Sequence, residues 1–414
     1  MALSERELSE VVSIRHDLHM HPEIAYQEVR TAGVIARELR GLGLRTIDGL
    51  AGGTGVVAHL PATDEAGVSG ARGDARGGAR GGEIGGAHGG GLASVGLRAD
   101  IDALPIVEQT GLSYASAVPG KMHACGHDGH TAIMLGVARV LARVRRPRAV
   151  TLVFQPAEEG GGGGERLCDE GLIEGRITGT PIAEMYGLHG WPDIALGSVG
   201  TRPGPLLAST DELRVTIRGV QSHAAYPHQG RDAVLAMAHC ITAVQSVASR
   251  SVAPTDSVVV SVCIVQAGTA VNVLPQTASF AATLRCLKGS TRELAKRRLS
   301  EIVSGTAMAF GCTAEVHWED GYPVTHNDPA LTAAWFELAD GALGRERVVR
   351  IEHPTMGGED FSYYARLCPS VFFCLGLNPG GAERTASLHQ PEFDFNDAAI
   401  PLGVEMFCRL ATRE

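Results

Sequence analysis

The sequence predicts an α/β fold in which a mixed, largely parallel sheet flanked by helices is interrupted by a smaller α+β domain. Three observations carry that expectation. Strand-like and helix-like segments alternate to about residue 190, the pattern changes after Pro203 and Pro205, and an α/β pattern resumes near 326. A chain of 414 residues is long enough for two domains with a core each. The simplest division is a discontinuous domain, 1–207 and 323–414, around an inserted domain, 208–322.

Residues 5–42 follow helical spacing broken by Pro22, which predicts two helices, the second over Tyr26–Arg40. VVAHL (56–60) and SVGLRAD (94–100) read as strands. Between them, roughly 62–91, a Gly/Ala/Arg-rich segment holds too few large apolar side chains to pack, and is expected to be a mobile loop joining two adjacent strands. A helix at 130–144, a strand at 150–154, a helix near 165–174 and a strand around 184–188 follow. Beyond the two prolines, strands are expected at 211–219, 257–267, 278–286 and 312–318, with helices at 230–250 and 291–310. Strand, helix, two strands, helix, strand is the order of a ferredoxin-like unit.

Composition narrows the function classes. A net charge of −10 argues against nucleic acid or an anionic membrane as the main partner. The most apolar stretch, Val258 to Val265, is far too short to cross a bilayer and is interrupted by Ser261. The N-terminal MALSERELSE has no apolar core of a signal peptide. Nine scattered cysteines with no C-x-x-C pair point to a reducing compartment rather than a disulfide framework, so a cytoplasmic location is expected.

The densest polar cluster is HACGHDGH (123–130). Cys125 and His127, two apart, would point to one side of an extended segment and suit a zinc-like ion, although chance loop polarity is an equal alternative. In FQPAEEGGGGGE (154–165) a β run ends in adjacent carboxylates, where open α/β sheets bind ligands. Neighbouring glutamates repel unless a cation or shared proton is present; one could bind metal while the other takes a proton from water. His189 and His389 are isolated histidines, and such residues are more often structural than ligating.

LHMHPE (18–23), LRADIDALP (97–105), MHACGHDGH (122–130), QPAEEG (155–160), GLHGWP (187–192), SHAAYPHQGRD (222–232), VNVLPQ (271–276), GGEDFSYY (357–364) and SLHQPEFDF (387–395) span nearly the whole chain. Together they resemble the zinc-metallopeptidase family of aminoacylases and carboxypeptidases, and within it the branch of hippurate hydrolases and auxin-conjugate amidohydrolases. The resemblance implies two divalent ions per subunit, zinc first, with manganese, nickel or cobalt also accepted. It implies Cys125, His127, Glu159, His189 and His389 as ligands and Glu158 as general base. Cys125 would be shared by both ions, one also holding Glu159 and His389, the other His127 and His189. Asp100 and Asp102 would orient ligands, Asp102 foremost. The inserted domain would be a dimerisation, or lid, domain presenting His223, His228, Asn272 and Arg285 to an N-acyl amino acid, and the protein a homodimer. Glu359 and Asp360 would support the metal site.

Plainer readings hold elsewhere. His16, His19 and His21 straddle a helix end and are expected to be structural, and His88 is not expected to ligate. The glycine run 160–164 lacks the Lys-Ser or Lys-Thr of a phosphate loop, and is expected to let backbone pass close to the metal site. The arginines between 139 and 148 suit the end of an amphipathic helix. Rival functions are a dipeptidase or N-carbamoyl amino acid hydrolase of the same family, a metal sensor or binding module without turnover, and a purely structural dimer. A carboxylate beside a ligand, as at Glu158, favours turnover.

Overall fold

The computed structural model describes residues 1–63, 93–380 and 386–414, so the Gly/Ala/Arg-rich stretch beyond residue 63, His88 included, lies outside the described residues. The chain divides into two compact units. One comprises Met1–Pro203, Asn327–Ile351 and Tyr363–Glu414; the other comprises Gly204–His326 and Glu352–Ser362. The sequence division leaves 352–362 with the flanking domain.

The elements run α1 (Glu5–Met20), α2 (Val29–Gly41), β1 (Arg45–Leu50), β2 (Gly55–Leu60), β3 (Ser94–Asp100), α3 (His127–Arg143), β4 (Val150–Gln155), α4 (Gly163–Asp169), β5 (Ile182–Ala195) and β6 (Val199–Thr201). Then come β7 (Gly204–Leu207), β8 (Ser209–Arg218), β9 (Ser222–His223), α5 (Ala233–Val244), β10 (Val258–Ala267), β11 (Val273–Leu274), β12 (Thr277–Cys286), α6 (Gly289–Ala309), β13 (Thr313–Asp320) and β14 (Thr325–Asn327). The chain closes with α7 (Pro329–Leu343), β15 (Val348–Arg350), α8 (Ser362–Ala365), β16 (Ser370–Asn378) and α9 (Ile400–Thr412).

The first unit holds an eight-stranded sheet in the order β1-β2-β4-β3-β5-β16-β6-β15. Its centre, β4-β3-β5-β16, is parallel, as the alternation of strands and helices requires. β2 and β3 are not neighbours, contrary to expectation, because β4 lies between them, antiparallel to β2 and parallel to β3. β1, whose sequence RTIDGL lacks clean alternation, is a further strand. Helix α3 begins at His127, earlier than expected, and is buried on nearly every side rather than amphipathic. A Cβ at Gly129 would lie 2.4 Å from the Phe395 ring, so glycine permits that close packing. Arg139, expected near the end of an amphipathic helix, is largely covered and pairs with Glu10 and Glu38 of α1 and α2.

In the second unit β10-β12-β8-β13 form an antiparallel sheet in the ferredoxin-like order. β8 alternates as a one-sided strand should: Leu213, Val215 and Ile217 are buried, while Glu212, Arg214 and Arg218 face outward. Leu213, Val215 and Ile217 pack with Ala236, Cys240, Leu299 and Val303 of α5 and α6, each large aliphatic contributing roughly 1.5–3 kcal/mol on burial. The expected helix to 250 ends at Val244 and continues as a short π-helical turn, Val247–Ser251.

A buried ionic network ties α1 to the segment that opens α3. Arg15 is fully buried and pairs with Asp128 (2.9 Å), Asp397 (2.6 Å) and Asp394. His19 Nδ1 lies 2.9 Å from Asp128 and its Nε2 3.3 Å from Glu108, a structural placement as the sequence suggests. Burial opposes charge on His19, and Arg15 and His123 stand near it, yet Asp128 and Glu108 prevail and raise its pKa to about 9. A pKa raised from 6.5 adds stability that is complete below about pH 6.5 and lost as pH climbs through 9, on the order of 3 kcal/mol. The urea midpoints of wild type and His19→Gln should therefore differ most at pH 6 and converge by pH 9.5. A gap independent of pH would mean that His19 folds neutral.

Candidate metal centre

Three parallel strands and one helix deliver the polar residues of the first unit to one place. β3 ends at Asp100 and leads to Asp102, β4 ends at Gln155 and leads to Glu158 and Glu159, and β5 carries His189. Ligands collect at the carboxyl ends of such strands. The backbone turns sharply there: Gly126 at φ 90° caps α3, and Ala157 (φ 57°) and His389 (φ 64°) are left-handed without being glycine. Such strained residues persist where surrounding structure holds them, commonly at functional sites. A Cβ at Gly163 would lie 1.8 Å from the Pro156 carbonyl oxygen, so glycine is needed there for the backbone to pass close to Pro156.

Donor atoms of Cys125, His127 and His189 lie within 4.8 Å of one another, as do those of Cys125, Glu159 and His389, and those of His127, Glu158 and Glu159. Cys125 Sγ is 3.3 Å from both His189 Nε2 and His389 Nε2, and Glu159 Oε1 is 3.1 Å from His389 Nε2. Cys125 and His127 do not share an extended segment, as their spacing suggests. His127 opens a helix, and the left-handed Gly126 between them turns both inward. Behind them Asp102 Oδ1 meets His127 Nδ1 at 3.1 Å, and Asp102 Oδ2 accepts from the Glu159 amide at 2.9 Å. Asp100 is held by Arg98 (2.6 Å) and meets His130 Nδ1 at 2.6 Å, with His127 Nε2 3.7 Å away.

His130 escaped sequence reasoning. Three residues past His127 it shares that helix face, and that spacing was the available signal. Its Nε2 accepts from the Gly190 amide at 2.8 Å, tying α3 to β5 beside His189.

The electrostatics fit a cation. Burial, then the carboxylates of Glu159 and Glu158, raise the Cys125 thiol well above its ordinary pKa. Burial opposes charge on His127, yet Asp100 and Asp102 raise it to about 10. Burial opposes ionisation of Glu159, but His389 and His127 keep its pKa low. His127 Nε2 is buried with no hydrogen-bond partner while its Nδ1 faces a carboxylate, the arrangement in which an imidazole offers its other nitrogen to a metal. Thiol, imidazole and carboxylate donors together suit zinc and similar ions, so the set could hold two.

His223, Asn272 and Arg285 belong to the second unit. β9 pairs His223 with Val273 of β11, and the Ala224 amide donates to the Asn272 carbonyl at 3.0 Å, so His223 and Asn272 share one exposed ribbon. His228 lies exposed in the turn Pro227–Gln229. Arg285 on β12 is half-buried, its Nε donating to Thr283 Oγ1 at 3.0 Å. Glu359 and Asp360 are also in this unit, and Glu359 Oε1 accepts from the Phe361 amide at 2.9 Å.

A parallel α/β sheet that gathers thiol, imidazole and carboxylate groups beyond its strand ends is the architecture of a metal-dependent hydrolase. Residues 96–413 match Peptidase family M20/M25/M40, and the chain belongs to that family; it is an enzyme that hydrolyses amide bonds. It is 34% identical over 403 residues to an N-acetylcysteine deacetylase of Bacillus subtilis, covering 97% of this chain and 96% of that one. An IAA-amino acid hydrolase of Arabidopsis thaliana is 34% identical over 97% of this chain and 85% of its own. The crystal structure of a dinuclear metal binding peptidase of the same family from Bacillus subtilis superposes with a TM-score of 0.79 at 31% identity, covering 99% of this chain and 98% of that one. Among the described residues no helix is long and apolar enough to cross a membrane.

Proposed function

We propose that this chain is a cytoplasmic amidohydrolase that cleaves acetyl or aroyl groups from N-acyl amino acids or similar conjugates, using two divalent ions held by Cys125, His127, Glu159, His189 and His389. The observation that carries this reading is the overlap of the three donor groups, in which Cys125 and Glu159 each take part in two and Glu158 stands beside both Glu159 and His127. The kinship to a deacetylase of an N-acetyl amino acid and to a hydrolase of amino acid conjugates supports the substrate class.

When bound, the divalent ions supply Lewis acidity, which eases deprotonation of water and polarises an acyl carbonyl. Glu158, buried beside the ligand Glu159, takes the proton from the attacking water and returns it to the leaving amine. Asp102 fixes His127 in the tautomer that leaves Nε2 facing inward, and the same carboxylate fixes the Glu159 amide. Arg285 pairs with the carboxylate of the amino acid.

The protein acts as a homodimer through its second unit. β10 is an end strand of its sheet, paired with β12 on one side, and it carries exposed Ile264 and Val265. An end strand with exposed apolar side chains is a liability that a second copy would cover. The ribbon with His223 and Asn272, next to the fully exposed Val271, completes the partner's site.

Substrate preference and metal dependence test the reading. Acetyl, benzoyl, peptidyl and carbamoyl amino acids are assayed side by side with zinc, manganese, nickel or cobalt added back; preference for peptidyl or carbamoyl substrates would overturn the substrate class. Chelation should abolish activity, a divalent ion should restore it, and metal analysis should find two ions per chain. Cys125→Ala should lower occupancy of both, and full turnover by metal-stripped protein would refute the metal's role.

A further inference from the structure

The segment that carries Glu158 and Glu159 is gripped by residues far away in sequence. Ala157, immediately before the pair, is fully buried and left-handed at φ 57°, a conformation that its Cβ disfavours. Its amide donates to Glu28 Oε1 at 2.9 Å, and Glu28 Oε2 accepts from Thr54 Oγ1 at 2.8 Å. Four residues on, the Gly161 carbonyl accepts from the Tyr26 hydroxyl at 2.5 Å, and Tyr26 is itself left-handed at φ 61°. Residues 26–28 thus hold both ends of the turn.

Glu28 has an obvious structural post that it does not fill. It is the N-cap residue of α2, yet its side chain makes no capping bond to that helix. A fully buried carboxylate is costly unless hydrogen-bonded, and its donors include the Ala157 amide and the Thr54 hydroxyl.

We infer that Glu28 is a positioning residue for the hydrolysis: its carboxylate, steadied by Thr54, holds Ala157 in the left-handed conformation that aims Glu158. The inference rests on the proposed role of Glu158 as the base. Glu28 touches no reacting atom, so its effect is on kcat, through the geometry of proton transfer.

Glu28→Ala and Glu28→Gln are made alone and together with Glu158→Gln, and kcat, KM and melting temperature are measured at saturating metal. Misplacing a reacting group by about 1 Å costs up to about 100-fold, so Glu28→Ala should lower kcat about 10- to 100-fold with KM changed less than about 3-fold. Glu28→Gln keeps an acceptor for the Ala157 amide and should restore most of kcat. With Glu158→Gln already present, Glu28→Ala should cost nothing further. An equal loss in both backgrounds, or no loss in either, overturns the inference while leaving the role of Glu158 standing. Wild-type kcat in Glu158→Gln alone overturns both. Should Glu28→Ala fail to fold, Thr54→Val replaces it, with a several-fold loss of kcat expected only where Glu158 is intact; equal losses or none would count against the inference.

Discussion

Glu158→Gln is expected to keep its metal and lose about 10²–10⁴-fold in turnover, the usual scale for removing a general base. The substitution is nearly isosteric, and the amide retains hydrogen-bonding capacity but cannot take a proton from water. Glu159→Gln is expected to lower metal content instead. Its carboxylate lies 3.1 Å from His389 and belongs to the donor group around Cys125, so an amide there weakens attraction to a cation. The outer support for Glu159 is its backbone amide on Asp102, which the substitution leaves in place, so the loss should come from the ligand atom and not from a collapsed turn. Metal per chain and kcat, measured on both variants, separate the roles. Loss of metal in Glu158→Gln with retention in Glu159→Gln would exchange them.

How much of this was legible in the sequence depended on the range of the interactions involved. The inserted unit was readable nearly strand by strand because its sheet is buried on one face, and Leu213, Val215 and Ile217 then alternate with charged residues. The central strands were readable as strands, but their order was not, since nothing in VVAHL or SVGLRAD says that β4 will insert between them. At the site, adjacent carboxylates after a β run were visible, whereas assigning His189 and His389 needed the resemblance. The conformation linking Cys125 and His127 was misjudged because Gly126 turns the chain where an extended segment was expected. Glu28 gave no signal: its partner Ala157 is 129 positions away, and only the folded backbone joins them.

Mixing two inactive variants, His223→Ala and Glu158→Gln, is expected to restore activity. The expectation follows from the proposed dimer, in which His223 of one subunit serves the metal site of the other. His223 sits exposed on a two-residue strand paired with Val273, near the fully exposed Val271, so the ribbon presents both a polar group and an apolar one to whatever covers it. In a two-fold dimer the same patch serves both subunits, and a mixed dimer holds one site with both residues intact and one with neither. An equal mixture that exchanges freely should then regain activity at about a quarter of its sites, against the low background of either parent alone. Exchange is verified first, by co-purifying differently tagged chains. Active mixtures formed only after exchange would support a shared site. If verified mixed dimers stay as inactive as their parents, His223 acts within its own subunit or is required in both, and the shared site is excluded.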